Sequence, residues 1–186
     1  MNARTIDVIA RIWHSAPSFI RLHICMPPRP FRIGRSVTGL GLFATRPIKR
    51  RVRLAEYKGP RLNVEQAEKA ESKGNRYLFE VNSRWTIDGK ARSNIARYFN
   101  HSCRPNTDVT IRSGRVFVYT LRAIEPGEEL TYNYGVDYLK NVIGKSRCKC
   151  KPCRRRRAKR ARQLRAAKKL NGAGRKSAPK RKARKA

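Results

Sequence analysis

Apolar residues in this chain come in short runs punctuated by turn formers. From Phe31 onward that pattern predicts strands over Phe31–Ser36, Leu42–Ala44, Leu54–Tyr57, Tyr77–Val81 and Trp85–Asp88. Two further runs, Thr107–Ile111 and Arg115–Leu121, flank Ser113-Gly114 and predict a hairpin. One helix is expected over Asn63–Lys73, where Asn63 can cap, Glu65, Glu68, Glu71 and Lys73 suit an exposed face, and Gly74 stops the run. A second, short helix is expected near Ile95–Phe99, and a tight turn at Pro126-Gly127. The predicted class is mostly β (α+β).

The ends behave differently. Residues 1–30 show no period and finish in Met26-Pro27-Pro28-Arg29-Pro30, a string that resists both helix and central strand. The ordered domain is therefore expected to begin near Phe31. The stretch before it reads as a disordered extension, as sequence upstream of a start at Met26, or as an acid-poor targeting peptide. No run of eighteen apolar residues occurs, so no membrane-spanning helix is expected and the chain reads as soluble.

Charge sharpens the division. Of 46 Lys and Arg in 186 residues, 17 fall in residues 154–186, which contain none of the 12 Asp and Glu. That tail is rich in Ala, poor in bulky apolar residues, and cannot form a core. A disordered basic tail is expected there, with Arg160–Leu170 able to become helical against a polyanion. The remainder divides into a main domain over 31–137 and a cysteine segment over 138–153. Three of five cysteines crowd into Cys148, Cys150 and Cys153, too close for a framework of long-range disulfides. Metal binding in a reducing compartment fits that spacing.

Three separated segments carry candidate chemistry. In Gly39-Leu40-Gly41-Leu42-Phe43-Ala44 the Gly-x-Gly pair lets backbone approach a ligand or simply turn. In Asn94-Ile95-Ala96-Arg97-Tyr98-Phe99-Asn100-His101-Ser102-Cys103-Arg104-Pro105-Asn106, amides and an imidazole sit among apolar residues and must each find partners. The third, Glu128-Glu129-Leu130-Thr131-Tyr132-Asn133-Tyr134, carries two tyrosines one residue apart. In this order and spacing the segments resemble the SET domain of protein lysine methyltransferases, over residues 31–153.

The resemblance implies small curved sheets around a knot-like crossing, in which the Asn-His-Ser-Cys segment lies beneath the loop to Tyr134 and brings Asn100 close to it. It implies S-adenosylmethionine as cofactor, with Gly39, Leu40 and Gly41 offering main-chain atoms, Tyr77 lying along it, and Arg97, Asn100 and His101 holding its amino-acid and adenine parts. For His101 the imidazole is also readable as a hydrogen-bonded core group. Tyr134, Tyr132 and Tyr57 would wall the catalytic channel, whereas Tyr98 and Tyr119 read as core. A tyrosine at 132, where the family has Phe or Tyr, implies mainly monomethylation.

The resemblance also implies one structural zinc ion held by Cys103, Cys148, Cys150 and Cys153, although only Lys151 and Pro152 separate the last two cysteines where the family usually has four residues. A set of reduced thiols without metal is the alternative, and Cys25 reads as an unrelated free thiol. The expected partners are a basic, histone-like protein substrate and DNA or RNA, the latter held without sequence preference through Arg154, Arg155, Arg156, Arg157, Lys159 and Arg160. A monomer is expected, in cytoplasm or nucleoid if bacterial and on chromatin in a nucleus if eukaryotic. The rival reading is a non-enzymatic nucleic-acid-binding protein in which an inactive copy of the same fold presents the tail.

Overall fold

The polar and apolar runs assemble into three small sheets, each only a few strands wide. The computed structural model describes residues 28–144 and 146–175. In the first sheet β1 (Phe31–Ser36) pairs antiparallel with β2 (Gly39–Ala44), setting Phe31 opposite Ala44. The second joins β3 (Arg53–Tyr57) to β9 (Arg115–Thr120) and β9 to β8 (Thr107–Arg112). The third sets β6 (Trp85–Asp88) between β4 (Arg61–Leu62) and β5 (Leu78–Asn82). Two strands complete the first sheet: β10 (Glu129–Tyr132) runs antiparallel to β2, and β7 (Asn100–His101) lies parallel to β10.

Local chemistry explains most of these elements. The β8–β9 hairpin turns on Ser113 and Gly114, with φ of 47° and 68°. Both are left-handed, as a two-residue turn matched to strand twist requires. Helix α1 (Val64–Ser72) is capped by Asn63, whose side chain accepts the Gln66 N–H at 2.9 Å while Gln66 Oε1 accepts the Asn63 N–H at 3.0 Å. Such a reciprocal cap stabilises a helix start by about 1 kcal/mol. The expected short helix near Ile95 is a single 3₁₀ turn over Ile95–Tyr98. After β10 the chain makes a short turn of helix, α2 (Val136–Tyr138), and a wide π-type turn over Leu139–Ile143.

The core lies where the three sheets meet. Leu42, Phe99, Val116, Val118, Ile124 and Leu130 are wholly or almost wholly buried there. Truncating one of these to Ala is expected to cost about 2–5 kcal/mol. A smaller cluster of Cys148, Cys150 and Cys153 packs under Leu139 and Ile143.

The crossing is built by residues 100–107 wrapping β10. Thr131 lies opposite Asn100 and Tyr132 opposite His101. The Ser102 N–H then donates to the Tyr132 carbonyl at 3.0 Å. Buried Asn106 ties the crossing shut: its Nδ2 donates to the Glu129 carbonyl and its Oδ1 accepts the Thr131 N–H, both at 2.9 Å. Thr107 Oγ1 adds a bond to the Thr131 carbonyl at 2.9 Å.

Several expectations need correction. Strand β2 starts at Gly39, so Gly39–Gly41 is strand paired to β1, because the ladder carries through both glycines. The ordered domain includes Pro28–Pro30: the Pro30 carbonyl accepts the Thr45 N–H at 2.9 Å, and that of Pro28 accepts from Arg46 at 3.0 Å. The segment expected to be a disordered tail from residue 154 is helical through α3 (Lys151–Arg175). Arg, Lys, Ala, Gln and Leu dominate its length and are strong helix formers, and this propensity outweighs the mutual repulsion of its cations. The expectations for residues 1–27, including the start at Met26 and the free thiol of Cys25, and for 176–186, lie outside the described residues. Among the described residues no helix is long and apolar enough to cross a membrane.

Candidate active site

A cleft of about 1160 Å³ opens between the first and third sheets and the turns that follow β10. Gly39 and Leu40 form one wall, and Tyr77, Arg97 and Asn100 another. Gly41 lies just behind the wall. A Cβ built on Gly41 would sit 2.5 Å from Glu129 Oε1 and 2.8 Å from Asn100 Nδ2, so only glycine permits this close approach. Asn100 Nδ2 in turn donates to Glu129 Oε1 at 2.7 Å and to the Leu40 carbonyl at 3.1 Å, linking β7, β10 and β2 along the cleft.

Arg97 projects from the 3₁₀ turn and lays its guanidinium 4.0 Å from the Tyr77 ring centroid and 5.4 Å from that of Tyr98. Its Nε is buried with no hydrogen-bond partner among the described residues. A buried donor of this kind calls for an acceptor, and a carboxylate-bearing ligand in the cleft would supply one. Tyr98, expected in the core, packs against the core with one side and lines the cleft with the other.

Aromatic rings close the inner end. Tyr132 and Tyr134 lie 4.8 Å apart by centroids, and Tyr138 meets Tyr134 edge-on at 5.3 Å. Tyr57 is buried against Phe79 at 5.4 Å. Burial raises the phenol pKa values of Tyr57, Tyr132 and Tyr134 above the ordinary range, with neighbouring Asp88 adding to the effect on Tyr57 and Tyr138 to that on Tyr134. All three stay neutral at neutral pH. Tyr134 Oη donates to the Phe99 carbonyl at 2.6 Å, and Tyr57 Oη to the Tyr77 carbonyl at 2.9 Å. Tyr132 Oη makes no hydrogen bond among the described residues, which leaves it as the uncommitted hydroxyl of the wall.

His101 is turned away from the cleft. Its Nδ1 accepts the Tyr134 N–H at 3.3 Å, so the ring proton sits on Nε2, which faces Cys103 Sγ at 3.3 Å. Burial lowers its pKa and keeps the ring neutral. Of the two readings that the sequence offered for this imidazole, the hydrogen-bonded packing group matches its position. Asn100 does lie beside Tyr134, as the crossing predicts, because the residues on either side of it both bond that tyrosine.

The four expected cysteines converge. Cys103 Sγ lies 4.0 Å from Cys148 Sγ and 3.6 Å from Cys153 Sγ. His101, Cys103, Cys148 and Cys150 offer ligand atoms within 4.8 Å of one another. An ion with metal–sulfur bonds of about 2.3 Å in tetrahedral geometry holds its sulfurs about 3.8 Å apart, the spacing these thiols already show. Burial and the neighbouring thiols push the Cys103 and Cys148 thiols up. Burial also works against ionising Cys150, but hydrogen bonds from the Cys103 and Cys153 backbone and from Cys148 and Cys153 prevail and bring it down to about 7. The donor set therefore fits a thiolate-bound metal, with His101 Nε2–H as a hydrogen-bond donor beside it.

Among the basic residues expected to meet nucleic acid, Arg154, Arg155, Lys159 and Arg160 are exposed on α3. Arg156 and Arg157 are partly committed elsewhere. Arg156 lies 3.8 Å from Cys153 Sγ, and Arg157 donates to the Ser146 and Cys148 carbonyls at 3.2 and 2.6 Å. Residues that sequence reasoning missed include Glu129, Tyr138 and the buried Asn94, whose Oδ1 accepts the Lys58 N–H at 3.1 Å and whose Nδ2 donates to the Gly89 carbonyl at 3.1 Å. Nothing in local pattern separates Glu129 from its neighbour Glu128; only the β10–β2 register does.

Comparison with known proteins adds an independent line. A family model described as the SET domain matches residues 39–135. A histone-lysine N-methyltransferase of Candida albicans, H3 lysine-4 specific, is 34% identical over 155 residues, which is 77% of this chain and 15% of that protein. The enzyme of the same description from Debaryomyces hansenii is 32% identical over 133 residues, covering 66% of this chain and 12% of the relative. That of Aspergillus oryzae is 37% identical over 117 residues, covering 57% and 10%. The chain thus corresponds to a small part of the length of these relatives.

Proposed function

Because the chain belongs to the SET-domain family, we propose that it is a protein-lysine N-methyltransferase that uses S-adenosylmethionine and acts mainly as a monomethylating enzyme on basic, histone-like proteins associated with DNA. The observation that carries this reading is the cleft itself: a glycine-lined wall and an orphaned arginine at one end, and a neutral tyrosine wall at the other.

The groups present fit the cofactor. Gly39 and Leu40 would meet it with main-chain atoms, Arg97 and Asn100 would hold its polar parts, and Tyr77 would lie along it, with Gly41 allowing the close approach. His101 would act through its main chain and by holding the Tyr134 loop. Bound S-adenosylmethionine supplies an electrophilic methyl group on a positive sulfonium. A free lysine has a pKa of about 10.4, so roughly one side chain in 2,500 is uncharged at neutral pH. Burial among Tyr57, Tyr132 and Tyr134 disfavours the ammonium, whose proton is lost to water before transfer. These rings would hold a neutral amine in line with that methyl group, and alignment of this kind would supply much of the rate.

The aromatic wall also bears on product. With Tyr134 and Tyr57 engaged by backbone carbonyls, the Tyr132 hydroxyl is available to hold the target amine and to occupy the room a second methyl would need. Mass spectrometry of the product should therefore show mainly monomethyl-lysine, and Tyr132→Phe should shift it toward higher methylation. Trimethyl-lysine as the main product of the unaltered enzyme would overturn the assignment.

Charge supports a basic substrate. Beside the cleft, between α1 and the β5–β6 hairpin, runs a groove of about 410 Å³ lined by Glu68, Glu71 and Glu80 against a single cation, Arg76. The chain has only 12 acidic residues, so this grouping favours Lys- and Arg-rich partners. The four clustered thiols suit a structural zinc ion that would hold residues 138–153 against the core, in a reducing intracellular setting such as chromatin or a nucleoid. The cations of α3 and the segment beyond it fit DNA or RNA as a second partner.

A further inference from the structure

The shortened spacing of the last two cysteines has a structural reason: Cys153 belongs to α3. That helix begins at Lys151, and the Arg154 N–H donates to the Cys150 carbonyl at 3.0 Å, so Cys150 and Cys153 lie one helical turn apart. Pro152 suits this first turn, where its missing N–H has no intrahelical acceptor to lose. The base of α3 is thereby built into the thiol cluster. Cys153 Sγ approaches Cys103 at 3.6 Å, and Arg157 reaches back to the carbonyls of Ser146 and Cys148.

Beyond its base the helix stands alone. Every residue from Ala158 to Leu170 is exposed. Ten Lys and Arg lie between residues 154 and 170, with no acid to pair at the i,i+4 spacing. Four of them occupy the N-terminal turns, where cations oppose the helix dipole. This arrangement does not serve the stability of an isolated helix. At about 100° per residue, Arg154, Arg155, Arg162, Arg165, Lys168 and Lys169 fall within roughly 140° of one another around the axis, with Lys159 at the margin. Gln163, Leu164, Ala167 and Leu170 fall on the other side, together with Arg160 and with Arg156 and Arg157, which turn back toward the cysteine segment.

We propose that the cysteine cluster and α3 act as one unit, in which the cluster fixes the base of a rigid helix whose exposed cationic side docks along the major groove of duplex DNA. This rests on the reading above that the basic residues bind nucleic acid. The helix from Arg154 to Leu170 is about 25 Å long, and a helix 10–12 Å across fits the roughly 12 Å wide major groove of B-form DNA. The deep, narrow major groove of A-form RNA does not admit it. A fixed base gives the docked helix a fixed direction relative to the cleft, so the enzyme meets proteins lying beside that groove.

The test titrates the full chain against a short duplex DNA by fluorescence anisotropy at several salt concentrations. It compares the unaltered protein and Ala158→Pro, which keeps every charge but breaks the helix just above its base, each as purified and after stripping by a chelator. The unaltered protein should bind with a log–log salt slope of about −5, for six phosphates engaged. Stripping and Ala158→Pro should each weaken binding about tenfold or more, and stripping should add little to Ala158→Pro. Methyl transfer by Ala158→Pro to a free basic peptide should be unchanged. If both forms bind DNA as the unaltered protein does, with the same slope, α3 is a flexible polycation and the proposal fails, while the nucleic-acid reading stands. Equal affinity for duplex RNA would also overturn it, and no binding to DNA by the unaltered protein would sink both readings.

Discussion

The crossing at residues 100–107 and helix α3 are opposite solutions to the placement of polar groups. In the crossing, Asn106 and Thr107 are buried and satisfied by the backbone of β10, and the amides close a loop that sequence separates widely. In α3, over residues 154–170, the charged groups are cations, exposed, and without opposite charge on their own helix. The first region spends its polar groups on internal geometry, so its residues define where Tyr134 stands. The second leaves them facing outward, so its residues define what the chain approaches. Substitutions should separate the two, with stability moving in one and association in the other.

The largest effect is expected at Asn106. Asn106→Ala removes the side-chain bonds to the Thr131 N–H, the Thr131 hydroxyl and the Glu129 carbonyl, a loss on the order of 3 kcal/mol that denaturant unfolding would read. Next is removal of metal. Stripping the cysteine cluster should release residues 138–153 from the cleft and lower methyl transfer about 100-fold, the scale at which an ångström of misplacement acts, with recovery on adding zinc.

A single change on α3 should behave in the reverse way. Arg165→Gln is expected to leave the unfolding midpoint almost unmoved and to reduce the salt slope of DNA binding by about 1. The smallest effect is expected at the Arg122–Glu128 pair. Its hydrogen bonds with Arg122 bring the Glu128 carboxyl down to about 2, although burial opposes this. A folded-state pKa below the unfolded one contributes stability that is full above about 4.5 and fades as pH falls toward about 2. Both side chains are substantially solvated, so Glu128→Gln should cost less than about 1 kcal/mol at pH 7 and nothing near pH 2, measurable as a pH-dependent difference in unfolding.

How much of this was legible beforehand follows the same division. Strands bounded by turn formers, the Ser113-Gly114 hairpin and the Asn63 cap are written in local chemistry, and apart from the earlier start of β2 at Gly39 each stands where its residues predict. The crossing was legible only through resemblance. Strand β7 is two residues long and β10 pairs with segments far away, so no periodicity announces either. The orientation of His101 depends on which neighbour takes its proton, and the commitment of the tyrosine hydroxyls depends on carbonyls brought near by folding. Helix α3 was hidden for another reason: its charge argued for disorder while its propensity argued for helix, and composition alone does not weigh one against the other.

On the proposed function, the tyrosine-walled cleft transfers methyl groups to lysine. The most direct measurement follows labelled methyl from S-adenosylmethionine to DNA-associated basic proteins, comparing the unaltered chain with Tyr134→Phe, which deletes the hydroxyl bonded to Phe99. Lysine-bound label is expected with the unaltered chain, and a loss of about 100-fold in Tyr134→Phe, at undiminished cofactor binding. Absence of both transfer and cofactor binding in the unaltered chain would contradict the proposed function and leave a nucleic-acid-binding protein built on an inactive copy of this fold.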